Sequence, residues 1–314
     1  MSLQIVIGYG PAGAATARLL AGRGHTVRVV TRSGRPPEPG IEHIALDATD
    51  GKRLAEAARG ATALHSCAAP PYHRWATDWP RLAASLYAAA EETGAVLVLL
   101  GNLYGYGPVD GPLTEELPLA ATGTKGRVRA GIWERARELH EQGRIRAVEV
   151  RASDFFGPGV TDGGHLAARV LPPLLRGKPV SALGDPDAPH SWTYVPDTAA
   201  ALVEAAGDER AWGRAWHAPT APARSVREMV ALLSSAAGTP TVPVRRLPAP
   251  LLAAASLFSP ALRELKEIRY QFDRPFVLDS SAYESHFTAR PTPVEEQAAA
   301  AVAWWRARTA PGGR

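Results

Sequence analysis

Residues 6–20 read VIGYGPAGAATARLL. Gly8, Gly10 and Gly13 stand in G-x-G-x-x-G spacing, after the apolar run LQIVIG (3–8) and at the head of a helical pattern over 11–22. Strand before and helix after is the context this motif requires. Gly8 permits a tight turn, Gly10 lets the backbone approach a pyrophosphate, and Gly13 lets the helix pack close to the sheet. Pro11 and Ala12 complete the turn, and the pyrophosphate would rest on the unpaired N–H groups of the helix start. The alternative is a glycine-rich βα turn that binds nothing.

Working outward, further strand candidates are TVRVVT (26–31), HIAL (43–46), ATALHSC (61–67), AVLVLLG (95–101) and AVEVRAS (147–153). Helical patterns lie between them at 51–59, 78–93 and 126–142. Short strands that are apolar on both faces suit a parallel sheet covered by helices on each side. The alternation predicts an α/β fold, a doubly wound parallel-sheet Rossmann domain. After residue 153 prolines and glycines become frequent. A helix near 196–206 and a strand at AWHAP (215–219) read as a return to the sheet, and SVREMVALLSSAAG (225–238) reads as a helix N-capped by Ser225. Asp197 reads as a cap for the helix containing TAAAL. The predicted division is a Rossmann domain of 1–153 plus about 194–220, and a smaller, mostly helical substrate domain of 154–193 and 221–306. A flexible tail is expected at 307–314.

The 314 residues are 46% hydrophobic, enough for a buried core, and the formal charge is only +4. Charges alternate in sign without a dense basic block, which argues against a nucleic-acid partner. The single cysteine, Cys67, excludes an intrachain disulfide and a Cys-rich metal cluster, and no metal is expected. No basic leader precedes an apolar run, and the longest apolar runs are too short to cross a bilayer. The expectation is a soluble cytoplasmic protein, monomer or homodimer, that acts on a small-molecule substrate without a membrane partner.

The end of the second strand bears on the dinucleotide. An NAD site places Asp or Glu there, about 20 residues past the glycines. Here Thr31, Arg32 and Ser33 take that place and Arg35 follows. Arginine and hydroxyls bind a 2′-phosphate that a carboxylate would repel. The expected cofactor is NADPH, with NADH accepted as second choice. Asp47, with Ala48, is placed to accept from an adenine amino group. Cys67, Ala68 and Ala69 offer small side chains where a cofactor must pass, and Leu100, next to last in the fifth strand, is a further cofactor contact.

Four later phrases, NLYGYGP (102–108), VRASDFFGPGV (150–160), HSWTYVPDTAAAL (190–202) and RPTPVEE (290–296), stand in an order that resembles the extended short-chain dehydrogenase/reductase superfamily, the group containing NAD-dependent epimerases and dehydratases. The resemblance implies nicotinamide-dependent chemistry at a hydroxyl- or keto-bearing carbon. It also implies a Tyr-x-x-x-Lys pair and a Ser or Thr four residues before the tyrosine of the "VYG" segment. This chain departs from that set. Leu100 stands four residues before Tyr104, none of the eight tyrosines has a lysine four residues later, and the best match to the pair is Lys125 with Arg129. Ile7 also replaces the first glycine of the superfamily's usual G-x-x-G-x-x-G turn.

Tyr104, Lys125 and His190 remain as candidate proton carriers, Lys125 also as a cofactor contact, and Arg129 as a ribose contact. Candidate substrate contacts are Tyr72, Asn102, Tyr104, Asp154, Phe155, Trp192 and Tyr194, in segments rich in aromatics that suit a planar, ring-containing molecule. Core packing is the plain alternative for each aromatic. General acid help is worth roughly 10²–10⁴ in rate and can be replaced by a phenol on the substrate itself. The expectation is an NADPH-dependent ketoreductase reducing a carbonyl of a bulky aromatic polyketide, as in antibiotic biosynthesis, with the proton from substrate or water. The alternatives are a sugar-nucleotide epimerase or dehydratase with a relocated acid/base, and a non-catalytic NADP(H)-binding redox sensor.

Overall fold

The computed structural model describes residues 1–161, 163–248 and 260–309. Two units divide the chain: Met1–Gly107, Glu115–Ala152 and Thr198–Ala218 form the first, and Pro108–Thr114, Ser153–Asp197 and Pro219–Arg314 the second. The second therefore takes the short segment 108–114, which the sequence reading leaves in the first.

In the first unit, strands β1 (Leu3–Ile7), β2 (Thr26–Thr31), β3 (Ile41–Ala45), β4 (Ala61–Ser66), β5 (Val96–Asn102) and β6 (Arg146–Ala152) join β10 (Ala215–His217). They form one parallel sheet in the order β10-β6-β5-β4-β1-β2-β3. This is the doubly wound Rossmann architecture. The order runs outward in both directions from the β1–β4 pair, which is the switch point where such sheets place ligands at their carboxyl ends. Ile5, Val6, Val29, Leu64, Leu97 and Val98 are wholly buried, as strands covered on both faces require.

Helix α1 (Pro11–Gly22) buries Ala12, Gly13, Thr16, Ala17 and Leu20, a stripe at helical spacing. The unit continues with α2 (Gly51–Ala57), α3 (Trp75–Thr93) and α4 (Thr124–Glu141). α3 starts three residues before the sequence reading places it and accommodates Pro80 internally, because Trp75 and Trp79 are both buried one turn apart.

In the second unit, β7 (Asp154–Phe156) pairs in parallel with β9 (Trp192–Tyr194), and β8 (Val180–Ala182) with β11 (Val244–Arg246). Helices α5 (Leu171–Leu175) and α7 (Val226–Ala236) belong to this unit, whereas α6 (Val195–Gly207) begins in it and from Thr198 onward belongs to the first. Ser225 caps α7 in a full capping box with Glu228. Asp197 does not cap α6, which already begins at Val195. Its carboxylate instead accepts from the Thr292 N–H at 2.9 Å and hydroxyl at 2.6 Å, tying in the RPTPVEE segment. The last helix, Val294–Thr309, includes 307–309 of the expected tail, and the rest of that tail lies outside the described residues. Among the described residues no helix is long and apolar enough to cross a membrane, and no His/Cys/Asp/Glu group could hold a metal.

Candidate functional site

The turn after β1 has the geometry that its glycines imply. Gly8 has φ +93°, donates to the Val30 carbonyl at 2.9 Å, and lies so close to Ala68 that a Cβ would meet its Cα at 2.6 Å. A Cβ on Gly13 would meet the Gly8 carbonyl oxygen at 2.2 Å. Gly10 differs, because a Cβ there would meet nothing within 4 Å. Gly10 is also the N-cap of α1, with Pro11 at the first position, no side-chain cap and no acid in the first turn. The N–H groups of Ala12 and Gly13 thus point from an uncapped helix start with open space beside Gly10. That arrangement suits a diphosphate. Ile7, in the place of the superfamily's first glycine, is the buried last residue of β1.

Around this turn the small residues Cys67, Ala68 and Ala69 follow β4, and the Cys67 N–H donates to the Ile7 carbonyl at 2.8 Å. Burial pushes the Cys67 thiol up to about 12, so it is a packing residue rather than a nucleophile. At the end of β2 the Thr31 hydroxyl is buried without a hydrogen-bond partner, while Arg32 and Ser33 are exposed. Asp47 is exposed, and its Oδ1 accepts both the N–H and the hydroxyl of Thr49; these bonds hold its carboxyl below the usual range. Ala48 packs on the core below.

One carboxylate near the turn was not foreseen. The loop after β2 folds back so that Glu38 accepts from the Tyr9 hydroxyl at 2.5 Å and from Arg18 at 3.0 Å. Arg18 and Arg35 stand 5.7 and 5.2 Å from the Tyr9 ring centroid. Burial, then the bond to Glu38, pushes the Tyr9 phenol up to about 12. RPPEPG (35–40) carries no sequence signal for this return, because loop closure is not periodic.

At the ends of β4 and β5, Tyr72 and Tyr104 meet with their hydroxyls 2.8 Å apart. Trp75 stacks on Tyr104 at 5.9 Å between ring centroids. Lys125, in the first turn of α4 and 2% exposed, places Nζ 5.8 Å from the Tyr72 ring centroid. Asn102 ends β5, and its Oδ1 accepts from the Tyr104 N–H at 3.2 Å, which leaves its amide N–H groups to donate. Arg129 does not face solvent. It is 5% exposed, donates to the Leu100 carbonyl at 2.5 Å, stands 3.8 Å from Glu149 and lies 4.6 Å from the Trp79 ring centroid. Burial pushes its pKa down despite Glu149.

The second unit holds a separate cluster. His190 engages both ring nitrogens, Nε2 with Asp154 at 2.7 Å and Nδ1 with the Gln271 carbonyl at 3.1 Å. Both ring nitrogens are thus engaged within the fold. Burial raises the Asp154 carboxyl, but the His190 bond and neighbouring charges outweigh it and hold the group below the usual range. Trp192 and Tyr194 are buried, Trp192 donating to the Arg224 carbonyl and Tyr194 packing against Gly157; Phe155 is half-buried. These two rings and the buried Trp75 and Trp79 are spent on packing, so they do not offer the flat surface expected for a planar substrate. The cavity beside His165 and His190 is about 10 Å³, room for one water.

Arg169 was missed. It is half-buried, has no partner among the described residues, leaves one guanidinium nitrogen buried and unbonded, and has its pKa pushed down by burial. A signal was present in GHLAARVLPP (164–173), where one arginine interrupts an apolar run.

The family model described as "NAD dependent epimerase/dehydratase family" matches residues 5–215. No curated protein matches the chain significantly. Among solved structures, the dTDP-glucose 4,6-dehydratase of Bacillus anthracis, in complex with NAD, is 16% identical with a TM-score of 0.79, covering 98% of this chain and 97% of its own. The UDP-glucuronic acid 4-epimerase of Bacillus cereus, in complex with NAD, is 14% identical with a TM-score of 0.77, covering 97% and 98%. The UDP-glucose 4-epimerase of Thermotoga maritima, with UDP-glucose, is 15% identical with a TM-score of 0.78, covering 98% and 99%. At these identities the likeness is one of fold.

Proposed function

Because the chain belongs to the NAD dependent epimerase/dehydratase family, we propose that it is a nicotinamide-dependent oxidoreductase of the sugar-nucleotide epimerase or dehydratase kind, with its acid/base relocated. The observation that carries this reading is the uncapped start of α1 above the Gly8–Gly13 turn. Gly8, Gly10, Pro11, Ala12 and Gly13 would hold the diphosphate, and Asp47 and Ala48 the adenine. Thr31, Arg32 and Ser33 would meet the adenosine ribose. Cys67, Ala68, Ala69 and Leu100 would border the path of the rest. When bound, the dinucleotide supplies a hydride acceptor or donor. The chain's own part is to orient a substrate oxygen, for which the Asn102 amide is available, and to move its proton.

Arg169 supports an anionic substrate, since a half-buried guanidinium without a carboxylate partner among the described residues is a ready partner for phosphate. The sugar nucleotides named for the dehydratase and the epimerases above support the same class. A second reading, the NADPH-dependent ketoreductase, is favoured by Arg32 and Ser33 standing where an acid selects NAD. The test offers the protein NAD+ and NADP+ with a panel of uridine and thymidine diphosphate sugars, and products are read by NMR. Turnover is expected, and Arg169→Ala should raise KM by about 10–100-fold with kcat little changed. Consumption of NADPH with polycyclic ketones alone would put the ketoreductase first, and none with either class would favour the sensor.

A further inference from the structure

The helix position that the superfamily gives to its tyrosine carries Lys125, yet one phenol, Tyr72, stands beside that lysine from another element and a second, Tyr104, meets the first. β4 and β5 are sheet neighbours, in register His65 with Val98 and Ser66 with Leu99, and β1 flanks β4 on the other side. The loop after β4 and the end of β5 therefore emerge side by side at the carboxyl edge, next to the glycine turn. From that edge come Tyr72 and Tyr104, half-buried and 2.8 Å apart at their hydroxyls. Trp75 lies edge-on to Tyr72 at 5.0 Å and stacked on Tyr104 at 5.9 Å, so both rings are braced. The Lys125 ammonium is held 5.8 Å from the Tyr72 ring centroid and sealed from solvent.

We propose that Tyr72 and Tyr104 are the proton-transfer pair of the reaction, with Lys125 the cation that stabilises their phenolate. This deepens the family reading above and rests on it. In the reductive direction a bound reduced nicotinamide would supply hydride to a carbonyl carbon, whose oxygen would then need a proton. One phenol O–H bond breaks and a new O–H bond forms on the substrate. The electron pair left on the phenolate oxygen is held by the hydrogen bond from the second phenol and by the ammonium, and solvent returns the proton. In the oxidative direction the phenolate takes the alcohol's proton, and a bound oxidised nicotinamide would accept the hydride from the same carbon. The two hydroxyls act together because whichever ionises keeps the other as its donor. A cation beside a phenol favours the ionised form.

The test combines kinetics with a titration that needs no cofactor. Tyr72→Phe, Tyr104→Phe and the double variant keep both rings and remove only the hydroxyls. Loss of a general acid predicts a fall in kcat of about 10²–10⁴ for at least one single variant and for the double variant, with KM changed little. In the protein without cofactor, tyrosinate absorbance should show an early ionisation step. That step should vanish in the double variant and move to higher pH in Lys125→Met. A double variant that turns over at the wild-type rate overturns the pair and leaves the family reading intact. Should no substrate turn over, the titration alone decides: an early step lost in the double variant supports the pair, and its absence from the wild type overturns it.

Discussion

Lys125 and Arg129 lie one turn apart on α4 and read in the sequence as a single substituted pair, but they serve different ends. Lys125 lies against Tyr72, whereas Arg129 turns beneath Trp79 and joins a buried network. In that network Glu149 accepts from Arg151 at 2.7 Å, Arg151 donates to the Tyr106 hydroxyl at 2.6 Å, and that hydroxyl meets His217 Nε2 at 2.7 Å. None of this was legible beforehand, because an arginine on an amphipathic helix reads as surface, and Glu149 comes under it only when β6 docks beside β5. Gly101 shows the same dependence: a Cβ there would strike Glu149 Oε1 at 2.6 Å. Arg129→Met keeps the apolar stem but removes the charged donor from the Leu100 carbonyl and from Glu149. It should cost about 1–3 kcal/mol in urea unfolding. An unchanged midpoint would mean that the guanidinium does not stabilise this network.

At the scale of elements, the βα alternation was legible because parallel strands covered on both faces leave apolar runs and glycines punctuate the turns. Ser225 likewise announces α7 as its N-cap, and the structure adds Glu228 to complete the capping box. The second unit was less legible, since its paired strands are only three residues long and proline and glycine break its periodicity. The decisive element is the start of α1. Two of its glycines are held by close contacts and one is not, and this separates folding from binding. Gly10→Ala meets no protein atom and Gly10 already has an ordinary φ of −73°, so the melting midpoint should be unchanged. Its methyl would project into the open space beside the uncapped N–H groups, and dinucleotide binding should weaken. Unchanged affinity in calorimetry would place the diphosphate elsewhere.

Across the whole molecule, burial takes Trp75, Trp79, Trp192 and Tyr194 out of the aromatic surface suggested for a polycyclic substrate, while Arg169, without a counter-charge among the described residues, supports the anionic substrate proposed. Burial also sets the acid response. It pushes His65 down to about 4 and His165 down to about 3. Both are neutral in the fold and gain a proton on unfolding near the ordinary value of about 6.5. The unfolded chain thus binds more protons below that value. Stability should be full above it and fall as pH drops toward each depressed value, His65 contributing on the order of 3 kcal/mol. His65→Gln should flatten the slope of unfolding free energy between about pH 6.5 and 4; an unaltered slope would remove His65 from the account. The central claim, that the β1–α1 turn holds a nicotinamide dinucleotide, is tested most directly by titrating the purified protein with NADPH and NADH and following energy transfer from tryptophan to the reduced nicotinamide. The account predicts saturable binding, tighter for NADPH if Arg32 and Ser33 meet a 2′-phosphate. Folded protein that binds neither dinucleotide would contradict it.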